Sequence, residues 1–100
     1  MDIKFRTNKL ERCFKDYSQG CRAWGTEVAK KYIQRIDLLQ AASDLSEIRI
    51  LPGLNCHPLK GRGEGHYGIS IHGRWRLVFT LKRETAEVIL VEEVSKHYGD

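Results

Sequence analysis

Apolar and polar positions in the first half of the chain follow the spacing of a short strand and two amphipathic helices. Residues 3–6 alternate in the manner of a half-buried strand, after which Thr7 or Asn8 can cap a helix. Gly20 is predicted to end that first helix. Its apolar residues recur at helical spacing at Leu10, Phe14 and Tyr17.

A second helix is predicted from Thr26, which offers an N-cap, with Glu27 in the first turn, where a negative charge suits the helix dipole. Residues 43–55 are rich in loop-forming residues, with one short helical turn at residues 45–48. Both long helices are interpreted as scaffold. The apolar stripe of the second helix contains Val28, Ala29, Tyr32, Ile33, Ile36 and Leu39.

Beyond this loop the period changes to two, which indicates strands. In residues 67–71 and again in residues 75–81, every second side chain belongs to the same face of a strand. Gly73, between these two segments, supplies a tight turn. After a second turn at residues 82–85, residues 87–91 are apolar and β-branched enough for a buried central strand.

The predicted order is therefore strand, helix, helix and three strands, which is an α+β fold. We expect one domain, residues 1–100, in which the N-terminal strand and two helices pack on one face of a mainly antiparallel sheet. If Trp75 and its alternating partners lie under the helices, Arg76 projects from the opposite face, which is left for function. The residues before the hairpin would bring His57 and Lys60 near Arg76.

Several classes of protein are excluded by what the chain lacks. No apolar run approaches the ~18 residues of a membrane span, and the N-terminus has no apolar signal-peptide core, so a cytoplasmic location is expected. The cysteines do not form the CxxC pairing of a zinc or redox site. Cys56 and His57 are sequence neighbours that point to opposite faces of an extended segment, which argues against a Cys/His nucleophile pair.

Positive charge is concentrated in the middle of the chain. Residues 56–83 carry six Lys/Arg against one acidic residue, whereas residues 84–100 carry one against five. Such a cluster attracts a phosphate backbone by releasing its counterions, although a solvated basic surface would show the same pattern. The cations and histidines beside the strands point to RNA.

Three runs in this region resemble the HigB-like toxins of the RelE/ParE superfamily: His57-Pro58-Leu59-Lys60-Gly61, Gly65-His66-Tyr67-Gly68-Ile69-Ser70-Ile71 and Arg74-Trp75-Arg76-Leu77-Val78-Phe79. The resemblance implies the small RelE/ParE-like, microbial ribonuclease-like fold. Such toxins belong to bacterial type II toxin–antitoxin pairs, and the HigB branch cleaves messenger RNA in the ribosomal decoding site. A ribosome-dependent endoribonuclease, neutralised by an antitoxin, is what the resemblance implies for this chain.

The resemblance also implies catalytic residues. Arg76 matches the family's strand arginine, His57 its loop histidine and Lys60 its loop lysine. The family's last strand tends to end in an acidic residue, an aromatic residue and a histidine in a row, an order that this chain rearranges. We expect His97 and Tyr98, which follow the last strand, to belong to the functional site, with Glu93 as a further acid/base candidate.

RNA can be cut without a metal or cofactor when its own 2′-hydroxyl attacks the neighbouring phosphorus. That reaction needs a base, an acid and cations for the phosphoryl oxygens. His57 or His97 can take the proton, because imidazole titrates near neutral pH, and Arg76 and Lys60 would stabilise the developing charge. Tyr98 can stack on a base or pack a terminus. Four further cations are candidate contacts to ribosomal RNA: Arg62, Arg74, Lys82 and Arg83.

Partners follow from the resemblance, and two other functions stay open. The expected partners are the 70S ribosome with its message and a cognate antitoxin, which would be a small helix-turn-helix DNA-binding protein. The toxin would contact operator DNA only through this antitoxin. One alternative is a ParE-like inhibitor of DNA gyrase without nuclease residues, against which His57 and Lys60 argue. The other is an RNA-binding module without turnover, which would show salt-dependent binding but no cleavage.

Overall fold

A computed structural model describes residues 1–61, 65–83 and 86–96. In these residues four helices and five strands follow one another in the order β1, α1, α2, α3, α4, β2, β3, β4, β5. The helices are α1 (Asn8–Lys15), α2 (Tyr17–Trp24), α3 (Thr26–Ala41) and α4 (Leu45–Arg49). The strands are β1 (Asp2–Phe5), β2 (His57–Pro58), β3 (His66–His72), β4 (Trp75–Arg83) and β5 (Glu87–Lys96).

The first predicted helix is in fact two helices, and the prediction that Gly20 ends it was wrong. Thr7 caps α1 as expected, its hydroxyl accepting from the Leu10 N–H at 3.2 Å. The break comes at Asp16, which has an extended backbone and caps α2 by accepting from the Ser18 N–H at 3.0 Å. Gly20 lies inside α2, where a Cβ would meet the Ala29 Cβ at 2.9 Å, so glycine lets α2 and α3 approach closely.

The start of α3 also differs from the prediction. Gly25, with a φ of 87°, is its N-cap and provides no side-chain capping hydrogen bond, and Thr26 is the first helical residue. The positive φ explains why glycine stands at this junction. The predicted short helical turn after α3 is confirmed as α4.

The sheet has the strand order β1-β5-β4-β3-β2. β1 runs parallel to β5 and the other neighbours are antiparallel, so the predicted mainly antiparallel sheet is confirmed. The turn at Gly73, with a φ of 57°, joins β3 to β4 as the alternation predicted. The two-residue β2 was not predicted, and it places His57 opposite Gly68 at the sheet edge.

Most of the buried apolar residues of the helices form one cluster with those on one side of the sheet, so the helices cover that side. Tyr32 of α3 anchors it and donates its hydroxyl hydrogen to the Leu10 carbonyl at 2.8 Å. Strand residues in the cluster include Ile69, Ile71, Leu77, Phe79, Ile89 and Val91. The alternating residues lie on the opposite side of the sheet, called the cavity face below: Gly68, Ser70, Arg76 and Val78.

An ion pair joins the end of β1 to β5. Arg6 Nη1 donates to Glu92 Oε1 at 2.7 Å, and Thr80 Oγ1 donates to Glu92 Oε2 at 3.0 Å. Burial raises the pKa of the Glu92 carboxyl, but these hydrogen bonds outweigh it and hold the pKa below its ordinary value. No helix in the described ranges is long and apolar enough to cross a membrane.

Candidate active site

A concave site of about 410 Å³ lies on the cavity face, at the end of the sheet where β3 turns into β4. It brings together three of the residues that the sequence singled out, His57, Arg74 and Arg76. The remaining lining residues are Gly68, Ile69, Ser70, Gly73 and Trp75. The charged lining groups are cationic, which suits an anionic ligand.

Arg76 is held at the floor of this cavity by the sheet. On β4 it pairs with Ser70 of β3 on one side and with Ser95 of β5 on the other, and it is half-buried. Its Nε is buried and has no hydrogen-bond partner among the described residues. A buried donor without a partner is costly in a folded protein, so this N–H is available to an acceptor on a ligand in the cavity.

His57, the first residue of β2, reaches the same cavity from the segment that precedes β3. Its ring Nδ1 lies 2.6 Å from the Asn55 carbonyl oxygen, and its side chain is exposed. Leu59, two residues later, packs its side chain over Gly68, where a Cβ would lie 3.1 Å from Leu59 Cδ2. The Leu59 N–H donates to the His66 carbonyl at 2.9 Å, so the loop is fastened to β3 on both sides of Pro58.

Cys56 turns away from this site, as the sequence indicated. It packs against the hydrophobic core, and burial raises the pKa of its thiol to about 11. Cys56 and His57 therefore lie on opposite sides of the chain. Among the described residues, no three His, Cys, Asp or Glu side chains are grouped so that they could hold a metal ion.

The other predicted site residues occupy different positions. Lys60 is exposed, beyond β2, and is not among the residues that line the cavity. Lys82 is exposed near the far end of β4, and Arg83 lies 4.0 Å from Glu87 in an ion pair. Glu93 is half-buried on β5, opposite Val78. Arg62, His97 and Tyr98 lie outside the described residues.

Two residues that the sequence reasoning did not select complete the site. Ser70 lines the cavity beside Arg76, and its hydroxyl accepts from Asn55 Nδ2 at 3.3 Å. Asn55 adopts a φ of 49°, which asparagine tolerates better than most residues. The Gly53-Leu54-Asn55 run indicated a turn, but the contact with Ser70 spans fifteen residues and no local pattern reports it.

Comparison with solved structures identifies the fold. A toxin from Agrobacterium tumefaciens, described as YoeB/ParE, aligns with a TM-score of 0.61 at 17% identity, over 98% of this chain and 100% of that chain. The Escherichia coli DinJ–YafQ toxin–antitoxin complex matches with a TM-score of 0.60 at 20% identity, over 98% of this chain and 97% of that chain. The Staphylococcus aureus YoeB–YefM complex matches with a TM-score of 0.60 at 20% identity, over 98% of each chain. The predicted RelE/ParE-like fold is thereby confirmed.

Sequence comparison assigns the family. No curated protein sequence matches the chain significantly. The family model described as the RelE-like toxin of the type II toxin–antitoxin system HigB matches residues 3–93. That match covers most of the chain, including most of β1, the helices and the strands that carry His57 and Arg76. The chain therefore belongs to the HigB-like toxins, the RelE-like toxins of type II toxin–antitoxin systems.

Proposed function

We propose that this toxin is an endoribonuclease that cleaves messenger RNA in the A site of the ribosome without a metal ion. The observation that carries the proposal is the cavity on the cavity face of the sheet, which His57 and Arg76 both line. It pairs an imidazole with a guanidinium whose buried Nε lacks a partner among the described residues. When a 2′-hydroxyl attacks phosphorus, the reaction requires a proton acceptor and a hydrogen-bond donor to the phosphoryl oxygens. His57 and Arg76 are groups of these two kinds.

Arg76 stabilises the charge that develops on the phosphoryl group in this mechanism. Its guanidinium presents several N–H donors in one plane, which matches the oxygens of a phosphate. A preorganised donor of this kind is worth roughly 3 to 4 kcal/mol in the transition state, so its loss costs hundreds-fold in rate. Lys60 is proposed to add positive charge from the loop beyond β2.

His57 supplies acid–base chemistry in the cavity, and the sequence offers further candidates in and after β5. Lys96 is the last residue of β5 and pairs with Trp75, a lining residue of the cavity. His97 and Tyr98 follow directly in the sequence, and we retain them with Glu93 as acid, base or base-stacking groups. Positioned acid–base groups contribute typically 10²- to 10⁴-fold.

The proposal includes partners for the rest of the surface. Arg62, Arg74, Lys82 and Arg83 are proposed to contact ribosomal RNA, since a protein of this size makes too few contacts to read a long message by itself. The ribosome would present the message in the cytoplasm. A cognate antitoxin, a helix-turn-helix protein that also binds operator DNA, is proposed because related toxins are known as complexes such as DinJ–YafQ.

The test is a cleavage assay on a defined message bound in programmed 70S ribosomes, with ribosome-free RNA in parallel. We expect cuts in the A site that depend on the ribosome, and a fall in kcat of at least about a hundredfold in Arg76→Ala and in His57→Ala. Arg12→Ala on α1 and His72→Ala on β3 are the matched controls, because neither residue lines the cavity.

Three results would overturn the proposal. If the folded, antitoxin-free wild type cleaves no message on the ribosome, the protein is not this nuclease. If toxicity survives both alanine substitutions at His57 and Arg76, inhibition of DNA gyrase is tested next. If the protein binds RNA in a salt-dependent way without turnover, it is a binding module.

A further inference from the structure

The loop before β2 is built to hold the His57 ring in one orientation. Leu54 is buried in the core, and its carbonyl accepts from the Ser70 N–H at 2.7 Å. Asn55 then takes a left-handed conformation, with a φ of 49°, and its amide donates to the Ser70 hydroxyl at 3.3 Å. The left-handed residue therefore stands between an anchored Leu54 and the extended segment that carries His57.

The short contact between His57 and Asn55 determines which ring nitrogen carries the proton. Nδ1 lies 2.6 Å from the Asn55 carbonyl oxygen, and a carbonyl oxygen can only accept a hydrogen bond. Nδ1 must therefore be the protonated nitrogen in the neutral ring. Nε2 is left with its lone pair, available to a ligand in the cavity that His57 lines.

We propose that Asn55 is a positioning residue, which fixes His57 as the Nδ1–H tautomer so that Nε2 is the general base of the cleavage reaction. The proposal rests on the nuclease function proposed above. Nε2 takes the proton of the 2′-hydroxyl while that oxygen bonds to phosphorus, and the 5′-oxygen leaves with a proton from a second acid group or from water. The imidazolium that forms keeps its Nδ1–H bond to the carbonyl of Asn55, whose dipole stabilises the new charge.

The Asn55 side chain connects this histidine to the phosphate-binding arginine. Ser70, which accepts from Asn55, pairs with Arg76 across β3 and β4. The Ser70 carbonyl also accepts from Arg35 Nε of α3 at 3.0 Å, which fixes the serine from the other side. The spacing between base and guanidinium is thus set by a chain of contacts through Asn55 and Ser70.

The first test is the tautomer of His57 in the full, antitoxin-free toxin, from ring ¹⁵N shifts in long-range ¹H–¹⁵N spectra, with peaks assigned by His→Gln substitutions. His72 is an internal control, because its Nδ1 lies 3.4 Å from Lys31 Nζ and so faces a donor. We expect Nδ1–H for neutral His57 and Nε2–H, the form that an unconstrained histidine prefers, for His72. Neutral His57 in the Nε2–H form would overturn the proposal.

The second test compares two substitutions at Asn55. Asn55→Gly keeps access to the left-handed backbone and removes only the amide, whereas Asn55→Ala also disfavours the positive φ and displaces the carbonyl from His57. We expect Asn55→Ala to shift His57 towards Nε2–H and to lower kcat by up to about a hundredfold with little change in KM. Asn55→Gly should retain the Nδ1–H form and lose only a few-fold in kcat. Unchanged kcat and tautomer in Asn55→Ala would overturn the positioning role.

These measurements separate the proposal from the function on which it rests, because the tautomer is read without RNA. A wild type with Nδ1–H His57 that cuts no ribosome-bound message would overturn the nuclease. An active nuclease with Nε2–H His57 would overturn only the role of Asn55.

Discussion

At the scale of single residues, Gly68 fits closely against Leu59 on the cavity face. A Cβ on Gly68 would lie 3.1 Å from Leu59 Cδ2, tighter than ordinary van der Waals contact. Gly68 also lines the cavity and pairs with His57. A methyl group at this position therefore disturbs both the packing of the loop and the space beside the proposed base.

We expect Gly68→Ala to lower the free energy of unfolding by about 1 to 3 kcal/mol, the usual cost of overpacking, and to reduce cleavage on the ribosome. Adding Leu59→Ala should restore part of the stability, because the methyl group then has room, but not the activity, because the methyl group still enters the cavity. Denaturant unfolding and kcat/KM on programmed ribosomes measure the two effects. Strictly additive changes in unfolding free energy would show that the two residues do not clash.

The residues of the site differ in how far the sequence could reveal them. Arg76 and His57 were predicted to come together, because an alternating strand and a preceding loop leave few places for their side chains. The contact between Asn55 and Ser70 was not predicted, since a hydrogen bond between a side-chain amide and a hydroxyl produces no periodic pattern in the sequence. The sequence shows Gly68 as a small residue in a strand. The need for a small residue there comes from Leu59, whose side chain packs against Gly68.

At the scale of elements, the contact between α2 and α3 depends on Gly20. Glycine inside a helix usually costs about 1 kcal/mol relative to alanine, so Gly20→Ala would stabilise an isolated helix. Here the added Cβ would meet the Ala29 Cβ at 2.9 Å, and the two helices would have to separate. We expect a net loss of about 1 to 2 kcal/mol in unfolding free energy.

The check is thermal or denaturant unfolding of Gly20→Ala, alone and together with Ala29→Gly, which restores the space. The double variant should be more stable than the sum of the single changes predicts. Because α2 and α3 lie on the side of the sheet away from the cavity, folded Gly20→Ala should cleave at the wild-type rate. A stabilised Gly20→Ala would contradict the close approach of the helices.

Secondary structure was predictable where the signal is local. The alternation of apolar and polar residues in β3 and β4, with the turn at Gly73, predicted the hairpin. Thr7 predicted the start of α1. Gly20 misled because a glycine that stops a helix and a glycine that admits a neighbouring helix look alike in sequence. The parallel pairing of β1 with β5 joins residues more than 80 positions apart, and the two-residue β2 is too short to show alternation.

At the scale of the whole molecule, the net charge of +4 does not tell where a polyanion binds, because the cations lie on separate surfaces. Arg74 and Lys82 are exposed on β4 and the turn before it, near the cavity face. Lys9, Arg12 and Arg22 line a different cavity of about 280 Å³ between α1 and α2, away from the proposed active site. Local geometry, rather than total charge, separates these two surfaces.

This separation predicts a salt dependence that distinguishes the two surfaces. Each phosphate contact that is lost reduces the slope of log K against log salt by about 1, so Arg74→Ala with Lys82→Ala should flatten the slope for 70S binding by about 2. Lys9→Ala with Arg22→Ala removes the same charge from the other surface and should leave the slope unchanged. Arg83→Ala should have a smaller effect than either cavity-face cation, because Arg83 already pairs with Glu87. Equal effects of the two double substitutions, measured by binding at several salt concentrations, would mean that net charge alone governs ribosome binding.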